Sequence, residues 1–206
     1  MIAAGDPVLE EFLDAVDGIA CVVDAENRIV AVGRRRWDRF AVENGAPDLR
    51  ADSVIGRDLF EFVSGPDMRQ AYRQLAERAM STGEPAVIAV CCDSPGLARE
   101  LRLSIAPLRL GDRGPGLLFQ VQMVSEAACP RLDILDFNTL LSALKQESDL
   151  PIVTRCSFCR RLRWPGSGDE EDWVTAETYY QLGGRNRVRI SHGLCADCDA
   201  ARFPDL

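Results

Sequence analysis

Histidine occurs once in this chain of 206 residues, at His192, and no Ser-His-acid arrangement surrounds it with more than chance support. No apolar run approaches the ~20 residues of a membrane-spanning helix. The N-terminal stretch MIAAGDPVLEEFLD has no basic segment ahead of a hydrophobic one, so neither a signal peptide nor an anchor is expected. A phosphate-cradling loop, a histidine-kinase phosphoacceptor block and an ATP-binding segment are also missing. These absences argue against an enzyme and against a membrane partner, and for a cytoplasmic protein. Positive charge is scarce too: the net charge is -8, which disfavours bulk attraction to nucleic acid or anionic lipid. Arginines and carboxylates balance over residues 151–206, however, so the surplus of negative charge lies in the first 150 residues and a local basic face in the tail stays open.

What is present is a composition 47% apolar and 27% charged, that of a soluble globular protein with one ordinary domain and a small appendage. DPVLEEFLDAVD sets Leu9, Phe12, Leu13 and Val16 on one side of a short helix, with Asp6 as cap and Pro7 in the first turn. GIACVVDAENRIVAVG gives two strands, Ile19 to Val23 and Ile29 to Val32, around the turn DAEN. A short helix over RRWDRFAVENG, stopped by Gly45, precedes a longer one carrying Met68, Ala71, Tyr72, Leu75, Ala76, Ala79 and Met80 and stopped by Gly83. At the start of the longer helix, Ser64 to Asp67 resembles a capping box, with Pro66 as a competing turn signal. Three strands follow in PAVIAVCC, RELRLSIAPLRL and GLLFQVQMVSE. The second sets Leu101, Leu103 and Ile105 against Arg102 and Ser104, and the third sets Phe119, Val121 and Met123 against Gln120 and Gln122. The order of elements predicts an α+β fold with an antiparallel sheet.

Over about residues 9–124 the chain resembles a PAS domain. The resemblance rests on GIACVVDAENRIVAVG as opening hairpin, VIGRDLFEFVSGPDM as the G-x-x-hydrophobic-x-hydrophobic segment, and RQAYRQLAERAM leading into three strands. It implies a five-stranded antiparallel sheet with helices on one face, spanning residues 1–125. It also implies a sensory role, through a cofactor or small ligand in the pocket, or a docking role. His192 lies far from this domain, which leaves haem without a histidine ligand there, and no reactive-cysteine segment of the flavin photoreceptor kind is present. Residues 126–150, with Leu132, Leu135, Phe137, Leu140, Leu141 and Leu144, read as a connector helix that packs on the sheet, pairs with a second copy in a homodimer, or serves simply as a linker.

The eight cysteines are distributed unlike a secreted disulfide framework. Cys21, Cys91 and Cys92 sit in apolar strands as small hydrophobes, and Cys129 precedes Pro130 as a lesser redox candidate. The pattern is in residues 151–206: Cys156 and Cys159, then 35 intervening residues, then Cys195 and Cys198. Two such pairs supply the four soft ligands of a tetrahedral site, for which zinc is the expected metal; an iron-sulfur cluster is the alternative and a metal-free redox disulfide the third choice. Trp173, Val174, Tyr179 and Leu182, with Val188 and Ile190 on a strand, make a poor core unaided for about 50 residues, so a structural metal would supply folding energy. His192 reads as a neighbour of the site in preference to a ligand. This tail resembles a cysteine-rich module that follows PAS or receiver domains in bacterial signalling proteins. The matching residues are Cys156, Cys159, Arg160, Leu162 and Arg163 at the front, Trp173 in the middle, and Ser191, His192, Gly193, Cys195 and Cys198 at the end.

The expected function is a non-catalytic regulatory adaptor with a protein partner or a small ligand, carrying a structural Zn(2+). Two rivals stand beside it. One is an iron-sulfur redox sensor. The other is a nucleic-acid-binding regulator that gathers Arg160, Arg161, Arg163, Arg185, Arg187 and Arg189 into one face; pairing of those arginines with Glu177 and the run Asp169 to Asp172 is the reading preferred over it.

Overall fold

The computed structural model describes residues 6–43, 46–63, 65–91, 97–128, 151–164, 172–185 and 188–203. The connector over 129–150, Gly45, Ser64, Cys92, Cys129, the acidic run up to Glu171 and the side chains of Arg187 and Arg189 lie outside the described residues. By internal packing the chain forms two compact units. One comprises Met1–Val63, Arg69–Ala89 and Leu101–Met123, the other Ser64–Met68, Val90–Glu100 and Val124–Leu206.

Helix α1 (Pro7–Ala15) starts as its sequence dictates, with Pro7 at the first position and the Asp6 carboxylate accepting the Val8 and Leu9 N–H groups. Its Leu13 is fully buried, and Leu9 and Val16 pack with it against Ala20, Val22, Val30 and Leu110. Strands β1 (Ile19–Asp24) and β2 (Ile29–Val32) pair antiparallel. Their turn is locked by the Asp24 carboxylate, which accepts the N–H groups of Glu26 and Arg28, while Asn27 takes the left-handed backbone at φ 62°. Helices α2 (Arg34–Glu43) and α3 (Ala51–Val54) follow, tied by the Trp37 indole donating to the Leu49 carbonyl and the Ala51 N–H donating to Asp38. A 3-10 turn, Leu59–Phe62, leads to α4 (Pro66–Thr82), which buries Met68, Ala71, Leu75, Ala76 and Ala79 and ends where Gly83 adopts φ 76°.

The remaining strands, β3 (Ala86–Cys91), β4 (Leu97–Arg109) and β5 (Pro115–Ala128), complete a five-stranded antiparallel sheet in the order β2-β1-β5-β4-β3. The first strand is interior because β5 returns to its free side, placing Cys21 opposite Phe119 and Val23 opposite Leu117. Leu101, Leu103 and Ile105 are buried and Arg102 is exposed, as the alternation predicts. Met123 departs from it and is exposed. The β1 pairing ends at Ile19 opposite Val121, so beyond that point β5 has no β1 neighbour to cover it. Among the described residues, every buried side chain of the first unit is apolar.

The tail builds a second sheet from β6 (Ile152–Cys156), β7 (Leu162–Arg163), β8 (Trp173–Val174) and β9 (Arg189–Gly193), in the order β8-β7-β6-β9. Helix α5 (Ala176–Gln181), capped by Thr175, and α6 (Ala196–Arg202) accompany it. The core is small: Val153, Leu162, Tyr179 and Val188, with Trp164, Val174, Ala176, Tyr180 and Ile190 partly buried around them. Val188 and Ile190 both contribute, as the sequence predicts. Trp164 and Tyr180 each meet Tyr179 edge-on, and the Tyr179 hydroxyl donates to the Arg185 carbonyl. Among the described residues no helix is long and apolar enough to cross a membrane.

Candidate metal centre

The 35-residue gap between the cysteine pairs has a topological cause. Strands β6 and β9 run parallel, with Cys156 in register with Gly193, and parallel neighbours need a crossover of a dozen or more residues. Both strands point the same way, so the chain just past each C-terminal end carries its CxxC to the same edge of the sheet.

At the first pair the chain turns sharply. The Ser157 N–H donates to the Gly193 carbonyl, the Arg160 N–H to Cys156, and the Cys156 N–H to the Arg161 carbonyl at 2.8 Å. Arg160 adopts φ 63°, the left-handed conformation that few side chains accept. The second pair straddles a helix start: Cys195 is the N-cap of α6 and Cys198 lies in its first turn, with the Cys195 carbonyl accepting the Asp199 N–H. Phe158, between the first two cysteines, stacks edge-on against Phe203, and the Arg202 guanidinium lies 4.7 Å from its ring centre. That contact ties the first turn to the far end of α6.

The result is a group of four sulfurs, from Cys156, Cys159, Cys195 and Cys198, all within 4.8 Å of one another, a cluster geometrically suited to hold a metal ion. Cys156 and Cys195 are buried, Cys198 is half-buried and Cys159 is exposed. His192 lies in β9 opposite Arg155 and does not belong to the group.

The surroundings favour the anionic form where it is most accessible. Burial pushes the Cys159 thiol up, but the backbone N–H and guanidinium of Arg161, with the Cys156 and Cys195 sulfurs, outweigh it and bring the thiol down to about 7. The Arg161 Nε sits 3.3 Å from the Cys159 sulfur and its Nη2 3.7 Å from that of Cys195. Cys195 and Cys198 are shifted up, first by burial and then by neighbouring sulfurs competing for the same protons. A lowered thiol at Cys159 beside raised ones at Cys195 and Cys198 is a set that a divalent cation resolves, by displacing the protons.

Sequence reasoning identified the four cysteines by spacing, and the fold brings them together. It missed Arg161, whose only signal was its position two residues past Cys159. It also read Cys91 as core. Cys91 is half-buried, its N–H donates to the Ser157 carbonyl and its thiol approaches the Phe158 carbonyl, so within the second unit it supports the first turn. Of the arginines, Arg161 pairs with Asp197 at 2.6 Å.

Cys21 belongs to different chemistry. Full burial pushes its thiol up to about 12. In the folded protein at neutral pH, iodoacetamide is expected to leave Cys21 unlabelled and to reach it only after denaturation. Mass mapping of the label checks this; prompt labelling would mean that the sheet opens readily.

The sequence model of the PAS fold family matches residues 13–128. No curated protein matches the chain. Solved structures similar to it include a domain of an HTR-like protein from Haloarcula marismortui, 13% identical, covering 52% of this chain and 97% of that one with a TM-score of 0.38. The PAS domain of BvgS from Bordetella pertussis is 16% identical, covering 69% of this chain and 96% of that one with a TM-score of 0.44. The VqmA chain of a ligand and DNA complex from Vibrio cholera is 17% identical, covering 70% of this chain and 61% of that one with a TM-score of 0.45. Domains of the PAS family are characteristically non-catalytic signalling modules. Through residues 13–128, more than half its length, the chain belongs to the PAS fold family.

Proposed function

We infer that this protein is a non-catalytic cytoplasmic signalling adaptor in which a PAS domain over 1–125 is joined through a connector over 126–150 to a zinc-organised module over 151–206. The observation that carries this reading is the convergence of Cys156, Cys159, Cys195 and Cys198 to within 4.8 Å at one edge of a sheet whose own apolar core is small. Four thiolates close the coordination shell of a zinc ion and leave no position for water or substrate, which makes the metal structural. The module then presents a folded surface to a regulatory protein partner. The apolar interior of the first unit supports docking over capture of a polar ligand, since a ligand site needs a few converging polar groups.

Elemental analysis and an absorption spectrum, on protein isolated without oxygen and without an affinity tag charged with nickel, test this reading. One zinc per chain and no visible absorption is the expected result. Iron with acid-labile sulfide would overturn it in favour of a redox sensor, a reading that the solvent exposure of Cys159 keeps in contention. The nucleic-acid reading is weaker because Arg161 is engaged by sulfur and by Asp197. Salt-dependent binding of duplex DNA or RNA would revive it.

A further inference from the structure

Arg161 makes contact with three of the four cysteines in three different ways. Its carbonyl accepts the Cys156 N–H, its Nε donates to the Cys159 sulfur, and its Nη2 donates to the Cys195 sulfur. The two guanidinium donors therefore bridge the two pairs, Cys159 from the first and Cys195 from the second. The same Nη2 is held 2.6 Å from the Asp197 carboxylate, which projects from the first turn of α6 between Cys195 and Cys198. A planar fork with fixed donor directions can span two sulfurs and a carboxylate in this way; a lysine ammonium has no such plane. Arg160, by contrast, has the left-handed backbone that points Arg161 back over the sulfurs.

Charge makes the same point. A divalent metal with four thiolates carries an excess of two negative charges, and Cys159 is the most exposed residue of the four. A guanidinium against Cys159 and Cys195 offsets one of those charges and fixes the sulfurs at a separation of 3.6 Å, closer than the group's widest spacing. Hydrogen-bonding groups just behind metal ligands commonly set both the orientation and the basicity of those ligands.

We propose that Arg161, anchored by Asp197, is a positioning residue that clamps Cys159 and Cys195 into one metal-binding set and retards loss of the metal through the exposed Cys159 side. This rests on the reading of the four sulfurs as a metal site. The clamp acts on affinity and release, not on the identity of the ligands, so Arg161→Gln keeps one metal per chain when metal is in excess. It binds zinc about tenfold to hundredfold more weakly, the usual effect of removing such a partner. Asp197→Asn shifts affinity in the same direction by less, because the guanidinium stays but loses its anchor. Arg161→Lys recovers part of the loss, since it returns a cation without the fork.

The test titrates the full chain and these three variants with Zn2+ against a chromogenic chelator, and follows release of the metal to excess chelator by stopped flow. Far-UV circular dichroism of the zinc-loaded proteins provides the check on folding. Weaker binding and faster release in the order Gln, then Lys and Asn, with unchanged spectra, supports the clamp. Zinc affinity and release in Arg161→Gln equal to those of the parent overturn it while leaving the metal site standing. Should Arg161→Gln fail to fold, Asp197→Asn decides, and parental release rates there overturn the proposal. A parent chain that takes up no metal fails the underlying reading instead, a result separate from either of these.

Discussion

Removing zinc from the proposed four-cysteine site is expected to unfold the cysteine-rich module while the five-stranded sheet persists. The module's sheet has two strands of only two residues each, and its longest pairing, β6 with β9, is parallel and closes a long crossover. Such non-local pairing costs loop entropy before any contact compensates. Against that stand, among the described residues, seven buried apolar side chains besides the cysteines, of which only Val153, Leu162, Tyr179 and Val188 gather in one cluster, less than a domain of this size needs for independent stability. A structural zinc site contributes an apparent ~10–16 kcal/mol at neutral pH in small metal-organised peptides, which is enough to decide the outcome alone. Amide hydrogen exchange with and without a strong chelator reads the result. Protection at Val153 to Cys156 and Ile190 to Gly193 is expected to vanish, and protection at Ala20 to Val23 to remain. Cys195→Ser is expected to reproduce the loss, because it removes a buried member of the proposed site that also starts α6. Unchanged exchange in β6 and β9, with metal shown to be gone, would mean that the small core suffices.

The first unit was largely legible because its signals are local. Asp6 and Pro7 start α1, Asp24 and Asn27 make the β1-β2 turn, Gly83 ends α4, and the alternation from Leu101 to Ile105 declares the half-buried β4. Each of these depends on residues a few positions apart. The tail was legible in its cysteines and in the strand that carries Ile190, and little else. Ile152 to Cys156 becomes a strand because it pairs with residues more than thirty positions away, and Trp173 and Val174 form a strand only because Leu162 and Arg163 lie beside them. No periodicity in so short a run can announce that. Arg161 was invisible for a related reason. An arginine among neighbouring arginines has no distinguishing spacing, and its role appears only when the left-handed turn at Arg160 and the arrival of α6 place Cys159, Cys195 and Asp197 around one guanidinium.

In the first unit the largest single effect is expected at Phe60. It is fully buried on the 3-10 turn between α3 and α4, and its ring meets Phe119 edge-on at 6.1 Å. The turn is held by Asp58, whose carboxylate accepts the Phe60 N–H at 2.9 Å and pairs with Arg73 of α4 at 2.6 Å. The Arg73 guanidinium in turn lies 4.5 Å from the Phe60 ring centre. Phe60 thus joins the turn, α4 and the sheet at one point, Phe119 being the cross-strand partner of Cys21. Phe60→Ala removes the ring and leaves a cavity, at an expected cost of about 3–5 kcal/mol, a large fraction of the stability of an ordinary domain. Asp58→Asn and Arg73→Gln touch only the part-exposed rim of the same cluster and are expected to cost about 1 kcal/mol or less. Urea denaturation followed by tryptophan fluorescence measures all three. Metal bound at the proposed site offers an internal control, because Cys156, Cys159, Cys195 and Cys198 lie in the other unit. Phe60→Ala is expected to lower the denaturation midpoint of the sheet and to keep its metal content. A variant as stable as the parent would mean that Phe119 and its neighbours collapse to fill the space.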